Sequence, residues 1–406
     1  MHCFLHGYSR RALIGAIAGV VGLALAGQPS AQQASGKPIR IGQTLALTGP
    51  LGQTGVVHKT VGDIFIANLN KSGGLLGRPV EWIVIDDQSK PDVARTLYER
   101  LITVDKVDLI MGPYATANIL AAIAVAQRYK KLIIHNTMGI PNLATYEWQF
   151  NALLISAEPQ KTVPALVYDA YASVKPLKSI TVVTSKFPSA KFNSDGAREV
   201  AKARGMDVKD YMEYDFGTRE YGSIAARIKA ADADLLWMGA LGVDGNLLVE
   251  AMGKLDYKPR NALYLYPSPS IANVPGAENG LSQTNLENVR PYLDNPTIAK
   301  FAKEFHEKAV AANLPYKEID SQTGFALQSW EVLTAAIRAT KSLDDKTLAE
   351  WLKKADIDTS LGKRNFRGKF NTNDHEATHI RQIQNKEFVI VWPKAVATPG
   401  KKIVVH

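Results

Sequence analysis

The sequence predicts an α/β protein of two lobes in succession, each an open, mostly parallel sheet flanked by helices. Three observations carry that reading. A strand, turn and helix unit recurs from residue 39 onward; the same pattern restarts after a transition at 156–159; and the chain ends in three helices followed by an alternating hairpin. Strands alternating with helical stretches are the pattern of parallel sheets, in which each crossover carries a helix.

The elements follow in order. "IRIGQTLAL" (39–47) is a buried strand and "TGPLGQTG" (48–55) a glycine-rich turn, and a helix follows that ends at Gly73 and Gly74, where glycine accepts the left-handed C-cap cheaply. "VEWIVIDD" (80–87) is the next strand, and Pro91 suits the first turn of the helix "PDVARTLYERLI". "VDLIMGP" with "TANILAAIAVAQRY", then "KLIIHN" with "MGIPNLAT", repeat the unit. In the second half "SITVVTS", "GMDVKDYMEY", "ADLLWMGAL" and "NALYLYP" are strands separated by amphipathic helices. Residues 277–296 are polar and turn-rich, and the helical stretches 297–313, 321–340 and 345–355 can cover a sheet already built.

The N-terminus reads as an export signal. Arg10 and Arg11 precede an uncharged apolar run over 12–26, which is 15 residues and short for a membrane span, and Ala24-Leu25-Ala26 offers a cleavage site. Cleavage after Ala26 or Ala31 is expected, by the general or the twin-arginine route. The single cysteine, Cys3, leaves with the signal, and with it any disulfide, thiol nucleophile or lipid-accepting cysteine. Loss of Arg10 and Arg11 takes the formal charge from +9 to +7. The basic residues are interleaved with acids, as in "KARGMDVKDYMEYDFGTRE", so a mixed solvated surface is expected and not a nucleic-acid footprint.

"HEATH" at 375–379 spells a zinc-protease pattern, which needs both histidines on one helical turn. The surrounding "NFRGKFNTNDHEATHIRQIQNKEFVIVWP" reads as a β-hairpin, and four strand steps separate His375 and His379 by about 13 Å. A hydrolase using His375, Glu376 and His379 is therefore the weakest reading. No Walker A loop or G-x-S-x-G elbow is present. Asp86 and Asp87 point to opposite faces of a strand, which works against a shared acid–base role.

"IRIGQTLALTGPLGQTG", "NKSGGLLGRPVEWIVIDDQSKPDVA", "VDLIMGPYAT", "FGTREYGSIAARIKAADADLLWMGALG" and the terminal hairpin together resemble the Leu/Ile/Val-binding family of periplasmic solute-binding proteins of ABC transporters. The resemblance implies a two-lobed periplasmic-binding-protein type I fold with crossover hinge segments. Lobe 1 would be 38–156 with 282–360, and lobe 2 would be 157–281 with 361–406, after the 1–31 signal. It implies a periplasmic location, no catalysis and no cofactor, a small-molecule ligand, membrane permease and ATPase subunits as partners, and a monomer. A ligand sensor of the same fold is the alternative.

The resemblance also places a site. The hydroxyl ligand contact falls on Thr116, with Tyr114 and Ala115 beside it, and the next loop supplies Asn136, Thr137 and Met138. A helix N-cap without ligand is the other reading of Thr116. The first glycine-rich turn supplies Thr54, the second lobe Leu241, Tyr266 and Ser268, and Phe192 completes the set. The family's loop threonine falls on Gly139. The carboxylate that receives an amino acid's ammonium falls near Ser268, so an acid without an ammonium, aromatic or branched, or an amide, is expected beside hydrophobic amino acids.

Overall fold

The computed structural model describes residues 34–374 and 378–406; the signal segment, His375 and Glu376 lie outside the described residues. The first sheet is built by β1 (Ile39–Leu45), β2 (Val80–Asp86), β3 (Leu109–Met111), β4 (Ile133–His135) and β5 (Gln149–Asn151). Its order is β2-β1-β3-β4-β5 and every pairing is parallel. The crossovers are α1 (Gly52–Lys71), α2 (Pro91–Thr103) and α3 (Thr116–Tyr129).

The second sheet takes β6 (Ser179–Ser185), β7 (Asp207–Tyr214), β8 (Leu235–Gly242), β9 (Ala262–Pro267) and β10 (Leu281–Thr284), with α4 (Pro159–Ala172), α5 (Pro188–Ala203), α6 (Gly222–Ala231) and α7 (Asp244–Gly253) on its faces. After α8 (Pro296–Ala311), α9 (Ser321–Thr340), α10 (Asp345–Leu352) and the small hairpin β11 (Ile357–Thr359) and β12 (Gly362–Arg364), the chain returns as β13 (His379–Gln384) and β14 (Glu387–Trp392). β13 pairs antiparallel with β10 and β14 antiparallel with β13, giving the order β14-β13-β10-β9-β8-β6-β7.

The three late helices cover the first sheet. Trp330, Leu333 and Ile337 of α9 pack with Ile39, Ile41 and Leu109 of the strands, while Phe301 and Phe305 of α8 pack with Val57, Val61 and Ile64 of α1. Fully burying a side chain of this size contributes roughly 1.5–3 kcal/mol, so this cap is a large share of the first lobe's core. Among the described residues no helix is long and apolar enough to cross a membrane.

Four details differ from the sequence reading. α1 begins at Gly52, inside the stretch read as a turn. Gly55 explains it, since a Cβ there would lie 1.8 Å from the Ala46 carbonyl oxygen, so this glycine serves a close approach of the helix to β1. The boundary at 282 cuts β10, which has too few apolar residues to announce itself yet pairs in the second sheet. The boundary at 361 cuts the β11–β12 turn. Residues just beyond it pack against the first sheet: Phe366 stacks edge-on to Phe150 with ring centres 5.2 Å apart and Arg364 donates to the Asn151 carbonyl at 2.8 Å.

The acidic pair at the end of β2 is structural. Asp86 accepts from the Leu47 and Gln88 amides, and Asp87, fully buried, accepts from Thr44 Oγ1 at 2.9 Å and from the Ser89 amide at 3.0 Å. His379 opens β13, and its Nδ1 lies 2.6 Å from the Tyr292 hydroxyl.

Two buried histidines set an acid limit. His58 faces Gln322 Oε1 at 3.1 Å and His135 faces Gln149 Oε1 at 2.6 Å, and burial lowers each to about 4 from 6.5. Above pH 6.5 both are neutral folded or unfolded, so they contribute nothing there. As pH falls from 6.5 toward 4 only the unfolded chain gains the protons, and each histidine costs up to about 3 kcal/mol. The unfolding midpoint in urea should drop over that window, and a His58→Gln, His135→Gln double variant should flatten the drop; an unchanged profile would remove this explanation.

Candidate functional site

A cavity of about 470 Å³ lies between the two sheets. Its walls come from loops at the carboxyl ends of strands in both lobes: 114–116 after β3, 137 and 139 after β4, 216–219 after β7, 241–244 after β8 and 266–269 after β9. That is where open parallel sheets present helix N-termini and free amides. Phe187, Phe216, Leu241 and Leu247 make the second-lobe side largely apolar.

The polar end is built on α3. Ala115 occupies its N-cap with φ 72 and ψ 145, a conformation that costs a non-glycine residue about 1–3 kcal/mol. The strain is held by a hydrogen bond from the Ala115 amide to Thr137 Oγ1 at 2.9 Å. The first helical bond described here runs from the Ile119 amide to the Ala115 carbonyl, so the preceding amides of the first turn have no helical acceptor. Thr116 is thus the first helical residue and not the cap. Its Oγ1 accepts from the Gly139 amide at 3.1 Å and ties the two loops together.

Of the residues named from sequence, Thr54, Tyr114, Ala115, Thr116, Thr137, Leu241, Tyr266 and Ser268 line the cavity. Asn136, Met138 and Phe192 do not. Asn136 turns away to Ser329 of α9, its Nδ2 donating at 3.1 Å. Met138 is fully buried in the core with Ile133 and Ile119. Phe192 is one helical position from Asn193, and it is Asn193 that faces the cavity, with Nδ2 donating to the Tyr266 hydroxyl at 3.1 Å.

Sequence reasoning missed Gln53, Asn193, Asn285, Tyr316 and Arg381, all of which line the cavity. The Tyr316 hydroxyl donates to Gln53 Oε1 at 3.1 Å and meets Ser268 Oγ at 3.1 Å, so one hydroxyl chain joins the lobes. Tyr316→Phe should weaken ligand binding by roughly fivefold, about 1 kcal/mol, by loosening the closed form. Titration calorimetry checks this, and wild-type affinity would show that the chain does not stabilise closure.

The cavity wall is not free of acid. Asp244 lines it at 4% exposure, and burial raises its pKa against the pull of the Gly217 amide, which donates to it at 3.3 Å. Burial raises Tyr214 and Tyr221 behind the wall, and the Asp244 carboxylate raises both further. At the cavity floor Arg381 is 2% exposed and ion-paired with Glu287, which burial pushes up to about 7 against the opposing pull of the guanidinium.

Comparison with known proteins agrees with this architecture. A family model described as "Periplasmic binding protein" matches residues 38–386. The Leu/Ile/Val-binding protein BraC3 of Rhizobium johnstonii is 24% identical over 334 residues, covering 80% of this chain and 86% of its own. Among solved structures, the leucine binding protein LivK of Thermotoga maritima aligns with a TM-score of 0.73 at 18% identity over 89% of this chain and 99% of that one. An ABC transporter solute binding protein of R. palustris, solved with benzoate, aligns with a TM-score of 0.72 at 18% identity over 91% and 99%. These relatives are named for binding and not for catalysis.

Proposed function

The chain belongs to the periplasmic binding protein family, of the Leu/Ile/Val-binding type, and from that premise we propose that it is the exported capture component of an ABC importer, closing two lobes on a small carboxylate-bearing ligand. Family members are periplasmic, and the N-terminal sequence fits removal of a signal after Ala26 or Ala31. The lobes on this reading divide at the crossovers near 154–158 and 285–288 and between β12 and β13. A monomer working with a membrane permease and an ATPase completes the proposal.

One observation carries it: Ala115 and Thr116, at a strained α3 N-terminus whose first-turn amides have no helical acceptor, line an interlobe cavity with apolar walls. Helix N-termini favour an anion by about 0.3–2 kcal/mol and supply its hydrogen bonds. Among the described lining residues Asp244 is the one carboxylate beside Tyr266 and Ser268, and the Gly217 amide already holds it. An acid lacking an ammonium therefore suits the site better than an amino acid, because a buried ammonium needs a free counter-charge.

Titration calorimetry with Leu, Ile, Val and Phe beside their 2-oxo and aryl-acid counterparts tests this reading. The acids without ammonium should bind more tightly. Tight binding of the amino acids alone would contradict it and assign the ammonium to Asp244. Thr116→Val should cost the best acid about 1–3 kcal/mol, roughly 5- to 150-fold, through its loop bridge and its contact with a charged oxygen. Wild-type affinity in that variant would move the anchor elsewhere.

A further inference from the structure

The floor of the cavity holds buried polar atoms that the protein leaves without partners. Asn285 is 5% exposed, lines the cavity, and neither its Oδ1 nor its Nδ2 finds a partner among the described residues, so exchanging the two amide ends changes nothing. Gln283 Oε1 and Arg381 Nε, on residues that line the same floor, are likewise buried and unpartnered. Buried polar groups are rarely left so, since each costs about 1–3 kcal/mol without a partner. Their concentration at one end of a ligand cavity points to a group supplied by the ligand.

Size points the same way. The cavity, at about 470 Å³, is roughly three times the 150 Å³ that accommodates a benzene ring. A single ring with a carboxylate leaves room for a further substituent.

We infer that Asn285, Gln283 and Arg381 form a second polar subsite that takes a neutral donor–acceptor group, a hydroxyl or a carboxamide, carried by the ligand in addition to its carboxylate. The inference rests on the carboxylate reading of the α3 end. Charge selects the neutral group: Arg381 is already ion-paired with Glu287, and Asp320, also buried, acts on both. One cation and two acids leave no excess positive charge for a second carboxylate. The available atoms are mixed, a donor and an acceptor on Asn285, an acceptor on Gln283 and a donor on Arg381, which matches a group that both gives and accepts a hydrogen bond.

The test is calorimetric titration of the mature chain with benzoate and cinnamate as parents, each beside its 4-hydroxy, 4-carbamoyl and 4-carboxy derivative. The two skeletons differ in length, so one of them can reach the floor. The expected result is a gain of about tenfold or more for the hydroxy or carbamoyl form of at least one skeleton, and none for the dicarboxylate. Asn285→Leu should erase that gain, so that derivative and parent bind within about threefold of each other, and binding of the parent also shows that the variant is folded. Gln283→Leu should reduce the gain and serves where Asn285→Leu does not fold. If the parents bind but no neutral derivative gains, or the gain persists in both variants, the second subsite is wrong and the carboxylate reading stands. If the dicarboxylate binds best, the charge argument is wrong and the subsite takes an anion. If no acid binds, the carboxylate reading fails and this inference with it.

Discussion

Gly139→Ala is expected to weaken ligand binding by about 10- to 100-fold while leaving both lobes folded. A Cβ at residue 139 would lie 2.8 Å from the Cβ of Ser189 and 3.3 Å from the Tyr266 hydroxyl, both across the cleft in the second lobe. The first distance is shorter than carbon atoms tolerate, so the lobes must part locally or the loop must shift. Overpacking of this kind costs about 1–3 kcal/mol, which here falls on the closed form and not on the fold of either lobe. At residue 139 the lobes meet so closely that a side chain does not fit without displacement. Removing the opposing atoms should repair the defect, so Ser189→Gly in the Gly139→Ala background should recover most of the affinity. The melting temperature without ligand should stay within about 2 °C of wild type. Unchanged affinity in Gly139→Ala would mean that binding does not need this closure.

Arg381→Met should be the most destabilising of the substitutions considered, at about 3–5 kcal/mol. Its guanidinium lies 3.8 Å over the ring of Phe388 and pairs with buried Glu287, and Asp320 is also within its field. Removing the cation leaves two acids in a site too dry to hold them ionised. Asp320 keeps the Gln322 and Thr323 amides that it caps, at 3.0 and 3.2 Å, so the larger penalty falls on Glu287. The double variant Arg381→Met, Glu287→Leu should therefore be clearly more stable than Arg381→Met alone. Denaturant unfolding measures both. Equal stability of the single and double variants would show that the uncompensated carboxylate is not the cause.

Most of the fold could be read from the sequence because its signals are local. Short apolar strands, helical periods, Pro91 at a first turn and the Gly73–Gly74 stop each act within a few residues. What escaped depends on distant partners. Gly55 reads as turn chemistry until Ala46 is seen against it, and β10 is too polar to be a strand except as the neighbour of β9 and β13. The first-lobe cavity wall was legible through the resemblance, and its residues follow strand ends directly, as Tyr114 to Thr116 follow β3. The floor was not: Gln283, Asn285 and Arg381 meet only once the terminal hairpin has crossed back, and nothing in the alternation of "THIRQIQ" singles out its arginine. Asn193 was missed by one position on the right helix, since neighbours on a helix point about 100° apart.

The central claim, capture of a carboxylate without an ammonium at the α3 end of the cleft, is tested most directly by the molecule the protein carries when isolated from its own cells. Mass spectrometry of the extract released by denaturing the purified protein should give close to one equivalent of a carboxylic acid lacking a primary amine. That acid should rebind the refolded wild-type protein and bind Thr116→Val much more weakly. An equivalent of Leu, Ile, Val or another amino acid, rebinding with Asp244 required, would contradict the account.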